Sequence, residues 1–96
     1  MVWHAARVAI LVDVPIWPHR GQLWAHLVSD TSYDELHEFA AALGIPRRGF
    51  QGDHYDVPAE LRAQALVLGA EAVDGRELVR RLIGCGLKRS RRRDGS

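Results

Sequence analysis

The chain has 96 residues, of which 47% are hydrophobic and 26% charged, and this composition excludes a disordered protein and favours one globular domain. Its single cysteine excludes an internal disulfide and any zinc site built from several cysteines, so we expect a reducing, cytoplasmic location. No apolar run approaches the roughly 20 residues that cross a bilayer, so we expect no membrane association.

The N-terminal half predicts two strands separated by a loop. Val8–Val12 is continuously apolar and β-branched, as in a strand that is covered on both faces. Two prolines and a glycine interrupt Val14–Gln22, which predicts a loop. Leu23–Ser29 alternates as a second strand, and this alternation places His26 on the same face as Trp24.

A helix with a clear start and end follows the second strand. Ser32 and Glu35 have the spacing of a capping box, in which each side chain accepts a hydrogen bond from the other residue's amide. The helix buries an apolar stripe and ends at Gly44. The segment Ile45–Asp56 is rich in glycine and charge, so we expect a loop there with at most a short strand.

The C-terminal part predicts two more helices around a short strand. Pro58 suits the first turn of one helix, Ala70–Val73 reads as a strand, and Asp74 caps a last helix that Gly84 and Gly86 terminate. We therefore expect a small α/β domain with a short sheet of about three strands covered by about three helices. A chain of this length has a thin core, which a homodimer partner or a bound ligand would help to stabilise.

The positive charge is concentrated at the C-terminus. Residues 1–87 contain 8 basic and 11 acidic residues, whereas five basic residues follow Leu87, namely Lys88, Arg89, Arg91, Arg92 and Arg93. We interpret 1–87 as the domain and 88–96 as a disordered basic tail. Two interpretations of the tail remain open, a contact with nucleic-acid phosphates and a solubilising terminus.

His54 and Asp56 form the first candidate functional pair. If their segment is extended, both side chains project from one face, where the carboxylate can orient the imidazole as a general base. The pair can also ligate one divalent cation. The alternative is that Asp56 caps the following helix and that His54 is a solvated loop residue.

Two further histidines extend this pair to a candidate metal site. His26 lies inside a strand, where a buried imidazole needs partners for both ring nitrogens, and His37 lies at the edge of the first helix stripe. If they converge, His26, His37, His54 and Asp56, together with Asp13, suit Zn²⁺ or Mn²⁺. Within this set, His26, His54 and Asp56 are the candidate catalytic groups. The alternative for each histidine is an ordinary structural residue with a hydrogen-bonded ring.

Four blocks of the sequence occur together in one known family. They are Ala9–Asp13, Trp24–Asp30, Asp34–Ala40 and Phe50–Asp56, and they contain the patterns His-Leu-x-x-Asp, Glu-Leu-His and His-Tyr-Asp. As a set they resemble an uncharacterised family of bacterial and phage proteins, domain of unknown function 4031. The resemblance places seven residues on motif positions without assigning an activity to them: His26, Asp30, His37, Gln51, His54, Tyr55 and Asp56. The family's occurrence in phage-like genomes favours a nucleic-acid role.

Two function classes remain open at the level of sequence. The first is a metal-assisted hydrolase that acts on a phosphodiester or a nucleotide. The second is a non-catalytic module that binds nucleic acid or a protein through the basic tail. The residues expected to contact a partner are Trp24, Gln51, Tyr55, Arg47 and Arg48.

Overall fold

The computed structural model of the protein describes residues 9–86, so the predicted tail and the start of the first predicted strand lie outside the described residues. Its strands are β1 (Ile10–Val12), β2 (Trp17–His19), β3 (Gln22–Ser29), β4 (Tyr55–Pro58) and β5 (Glu71–Ala72). Its helices are α1 (Tyr33–Ala42), α2 (Ala59–Val67) and α3 (Gly75–Cys85), and a 3₁₀ turn covers Arg47–Gly49. Within the described range, no helix is long and apolar enough to cross a membrane.

The α/β class and the three helices are confirmed, but the sheet has five strands where about three were expected. The two additional strands are β2 and β4. Strand β2 lies in the predicted loop, because the residues from Trp17 to His19 fold back on β3 as a hairpin. Strand β4 includes Pro58, which was predicted inside the second helix and instead pairs with Trp24 and precedes the helix. Proline has no amide hydrogen to contribute to a ladder, so its position at the end of a strand is tolerated.

Strand β3 is the centre of the sheet. It pairs with β4 along one side, while β1 and β2 pair with two different parts of it, with Val12 opposite Leu27 and Trp17 opposite Trp24. Strand β5 then adds in parallel to β1. Residues 13–16, which connect β1 to β2, do not continue the ladder with β3. The pairing along this side of β3 is therefore interrupted beside His26.

The two faces of the sheet carry separate cores. Val12, Leu27 and Val57 pack with residues of α1 and α2 on one face. On the other face, Leu11 and Val28 pack with Leu78 and Leu82 of α3. Because side chains alternate along a strand, His26 lies on the same face as Val28, the face that α3 covers only in part.

The start of α1 differs in one detail from the predicted capping box. The Ser32 hydroxyl accepts from the Glu35 amide at 3.1 Å, as expected. The Ser32 amide, however, donates to the hydroxyl of Ser29 at 3.1 Å, and that hydroxyl donates to the Glu35 carboxylate at 3.2 Å. The predicted hydrogen bond from the Ser32 amide to the Glu35 side chain is therefore wrong, because the Ser29 hydroxyl lies between these two groups.

Candidate metal centre

Asp13 occupies the point where β1 leaves the sheet. Its amide donates to the His26 carbonyl at 3.2 Å, but its own carbonyl accepts from the Arg62 guanidinium at 2.7 Å and takes no part in the ladder. The Asp13 carboxylate accepts the His26 amide at 2.7 Å instead. The side chain thus completes the hydrogen bonding of β3, and only 6% of the residue is exposed.

The second oxygen of the same carboxylate orients the His26 ring. Asp13 Oδ2 lies 2.8 Å from His26 Nδ1. Because a carboxylate only accepts, the hydrogen belongs on Nδ1, and a neutral His26 therefore carries its lone pair on Nε2. The hydrogen bond to Asp13 raises the pKa of His26, although burial opposes it, and the charges of Asp13, Asp56 and Asp53 raise it further.

A tight turn before β4 brings His54 to the same place. The Gln51 amide donates to the His54 carbonyl at 2.8 Å, and Gly52 turns the chain with a φ of +94°, a region that favours glycine. This turn sets Asp53 Oδ1 2.7 Å from His54 Nδ1. In the pairing of β3 with β4, His26 lies opposite Asp56.

His26, His54 and Asp56 form the candidate metal centre. One ligand atom from each residue lies within 4.8 Å of the other two, and the two imidazole rings are 5.0 Å apart in an edge-to-face arrangement. Ligands of a tetrahedral zinc ion lie roughly 3.3 Å apart, given bonds of about 2.0–2.1 Å. At up to 4.8 Å, the three atoms are therefore spaced somewhat more widely than the ligands of a bound zinc ion.

His54 stands between two carboxylates. Its Nδ1 faces Asp53 at 2.7 Å, and its Nε2 lies 3.3 Å from Asp56 Oδ1. A neutral imidazole has one ring hydrogen and cannot donate to both acceptors. If Nδ1 donates to Asp53, Nε2 therefore presents its lone pair on the side of Asp56, as a metal ligand would.

Two grooves meet at this centre. One, of about 520 Å³, runs between the sheet and α3 and is mainly apolar, with Ile16, Val28, Leu78 and Val79 in its walls. The other, of about 670 Å³, is lined by Arg20, Trp24 and Gln51 together with all three residues of the candidate metal centre. Both volumes are in the range of small-molecule sites.

The structure separates His37 from the other predicted ligands. His37 Nδ1 lies 2.7 Å from the Tyr55 hydroxyl, and its ring packs edge-on against Phe50 at 4.7 Å. Tyr55 belongs to the core on the α1 and α2 face, so His37 is not part of the cluster on the α3 face. With 1% of its surface exposed, Tyr55 also lacks the accessible ring that the predicted partner contact required.

The other predicted binding residues are accessible to different degrees. Trp24 is partly buried, and its indole donates to the His19 carbonyl at 2.9 Å. Gln51 is exposed in the polar groove. Arg47 and Arg48 are exposed on the 3₁₀ turn. Of the four, Trp24 and Gln51 line the groove that contains the candidate metal centre.

The structure also corrects the alternative interpretation of Asp56 and adds a residue to the site. Helix α2 is preceded by Pro58 and has no side-chain cap, so Asp56 does not cap it. Asp53 was not predicted as a site residue, although it orients His54. The only sequence signal was its place between Gly52 and His54, because a turn at a glycine can bring the side chains of the two following residues into contact.

Comparison with known families agrees with the sequence blocks. The model of the family described as "Protein of unknown function (DUF4031)" matches residues 10–84, which include every residue of the candidate metal centre. No curated protein and no solved structure shows significant similarity to the chain. The chain therefore belongs to the DUF4031 family.

Proposed function

We propose that the protein is a metal-dependent hydrolase that holds one divalent cation with His26, His54 and Asp56. The observation that carries this proposal is that these three side chains come within 4.8 Å of one another. His26 comes from β3, whereas His54 and Asp56 come from the start of β4 and the residue before it. The carboxylates behind both imidazoles add to it, because metal-binding histidines usually donate their second nitrogen to such a group. Asp13 holds His26 in this way, and Asp53 holds His54.

The number of ligands favours catalysis over a structural role. Structural zinc sites are closed by four protein ligands, whereas catalytic sites have three and leave a position for water or substrate. Here three ligands stand where two grooves meet. Two imidazoles and one carboxylate suit Zn²⁺ and Mn²⁺, and also Fe²⁺, so elemental analysis is part of the test.

The proposed substrate class is a phosphodiester or a nucleotide. A bound divalent cation would lower the pKa of a coordinated water and polarise the phosphoryl oxygens. The water oxygen would form the new bond to phosphorus as the ester oxygen leaves, and the water proton would pass to solvent or to a nearby carboxylate. The polar groove has room for a nucleotide beside the three ligands.

Metal titration of the purified full chain tests the proposal. We expect one Zn²⁺ or Mn²⁺ per chain and a loss of affinity of at least about 100-fold in His26→Ala and His54→Ala, because each removes one of three ligands. The exposed His19, which is outside the ligand cluster, supplies the matched control His19→Ala. Hydrolysis of bis(p-nitrophenyl) phosphate should require the metal and disappear with chelation.

Two results would contradict the proposal. Unchanged metal affinity in both His26→Ala and His54→Ala would show that the metal binds elsewhere. Stoichiometric binding at the three residues without metal-dependent hydrolysis of any phosphodiester would leave a metal site but refute the hydrolase. His37→Ala should keep the affinity of the wild type, because the His37 ring contacts Tyr55 on the other face of the sheet.

A further inference from the structure

Arg20 occupies an unusual backbone position at the edge of the polar groove. It is the only non-glycine residue with a positive φ in the described part of the chain, at +52°. Arg20 and Gly21, with a φ of +78°, form the two-residue turn of the hairpin between β2 and β3. Turns with two positive φ values favour Asn-Gly, because asparagine tolerates the left-handed region better than arginine does.

The turn therefore gives no local reason for an arginine. Non-glycine residues in the left-handed region concentrate at functional sites. The hairpin that carries Arg20 is also held in place, since the Trp24 indole donates across it to the His19 carbonyl at 2.9 Å. The guanidinium thus extends from a supported turn.

Among the described residues, Arg20 has no direct partner for its charge. The side chain is exposed, and no described residue forms a hydrogen bond or an ion pair with it. It lines the same groove as His26, His54 and Asp56. A guanidinium that has no partner among residues 9–86 and lines a groove with two imidazoles and a carboxylate is available to a ligand that enters there.

The charge balance of the site indicates which ligand. Asp13, Asp53 and Asp56 bring three negative charges, which one divalent cation does not fully neutralise. An anionic substrate would approach a site that still repels it. A guanidinium offers a positive charge and a planar pair of donors that matches two oxygens of a phosphate.

We propose that Arg20 binds the non-bridging oxygens of the substrate's phosphate group and so holds that group beside the metal. This inference rests on the proposed metal-dependent function and extends it to substrate recognition. The shared chemistry is an oxyanion, which a phosphate or a carboxylate can supply. The proposed hydrolysis of a phosphodiester favours phosphate, because that reaction brings a phosphate group to the metal.

The test compares Arg20→Asn with the wild type as Mn²⁺-loaded full chains, using inorganic phosphate as the probe. Bound Mn²⁺ broadens the ³¹P signal of a phosphate next to it, so the titration reports both affinity and proximity. We expect Arg20→Asn to bind phosphate roughly 10–100-fold more weakly, as the loss of charged hydrogen bonds implies. Its Mn²⁺ affinity should not change, and its Tm should not fall, because Asn-Gly suits the turn.

Two variants and a second anion complete the design. Arg80→Asn removes an equal charge from the exposed face of α3, outside both grooves, and should bind phosphate normally. Arg20→Lys should keep part of the affinity, because it retains the charge but not the paired donors. Acetate should compete weakly; acetate binding as tight as that of phosphate would refute phosphate as the ligand.

The possible failures separate the two proposals. Equal phosphate affinity in Arg20→Asn and wild type, with Mn²⁺ bound in both, would overturn the role of Arg20 and leave the metal site intact. Absence of binding of Mn²⁺, Zn²⁺ and Fe²⁺ in the wild type would overturn both. A fall in Tm in Arg20→Asn would show that the arginine serves the turn and would also count against this inference.

Discussion

Asp13→Asn is the most informative single substitution, because Asp13 joins the fold to the site. Its two carboxylate oxygens accept from the His26 amide at 2.7 Å and from His26 Nδ1 at 2.8 Å. Asparagine has one acceptor and one donor in these places. In either orientation of the amide, one of the two contacts becomes donor against donor, unless the His26 ring moves its hydrogen to Nε2.

Each outcome has a predictable magnitude. If the His26 hydrogen moves to Nε2, that nitrogen can no longer bind a metal, and loss of such a supporting carboxylate typically weakens metal affinity about 10–100-fold. That range corresponds to about 1.4–2.7 kcal/mol. If the NH₂ end of the asparagine side chain instead faces the backbone N–H of His26, that buried donor loses its acceptor, at a cost of about 1–3 kcal/mol in stability. For a domain of this size, the Tm would then fall by roughly 4–8 °C for each kcal/mol.

The assay measures Zn²⁺ affinity by competition with a chelating dye and the free energy of unfolding of the metal-free protein in urea. Asp34→Asn is the matched control, because it removes one carboxylate from the exposed start of α1. NMR of the His26 ring should show a lower pKa in Asp13→Asn, since the hydrogen bond from Asp13 is the main cause of its elevation. Wild-type Zn²⁺ affinity in a stably folded Asp13→Asn would refute the supporting role of Asp13.

Three further predictions concern the start of α1 and the tail. Ser29→Ala should cost about 1–3 kcal/mol in urea unfolding, because the buried hydroxyl accepts from the amides of Thr31 and Ser32; full wild-type stability would contradict this. Burial raises the pKa of Glu35, so the native state binds its proton more tightly than the unfolded state does. The wild type should therefore lose stability relative to Glu35→Gln as the pH rises above 4.5, in unfolding curves at about pH 4 and about pH 7, and a constant difference would contradict the linkage. We also propose that residues 88–96 contact nucleic acid, so their deletion should weaken binding and flatten its salt dependence, and an unchanged salt slope would refute a phosphate contact.

The fold was predictable where local signals agree with packing. The capping residues Ser32 and Asp74 start α1 and α3 as the spacing indicates, and each accepts from the amide three residues later. Strand β2 was not predictable, because Pro18 and Gly21 read as a loop in isolation. Only pairing with β3 makes Trp17–His19 a strand, and that pairing is a tertiary effect.

The candidate site was predictable in its residue types but not in its geometry. The spacing of His54 and Asp56 correctly predicted that both side chains project from one face, where His54 Nε2 lies 3.3 Å from Asp56 Oδ1. His37 resembled the other histidines in sequence, but it lies on α1, which packs on the opposite face of the sheet. Asp53 could not be recognised, because its role depends on a turn conformation that a single sequence does not specify.

The interruption between β1 and β2 links the fold to the proposed chemistry. A continuous strand would satisfy the His26 amide with a backbone carbonyl and would leave no carboxylate behind the ring. Because the chain departs at Asp13, the aspartate side chain makes both contacts, and the freed carbonyl is satisfied by Arg62. The same hydrogen bonds that close the sheet thus orient the proposed metal ligand before any metal binds. A site assembled by folding in this way would lose little further conformational entropy on binding a cation, which favours binding.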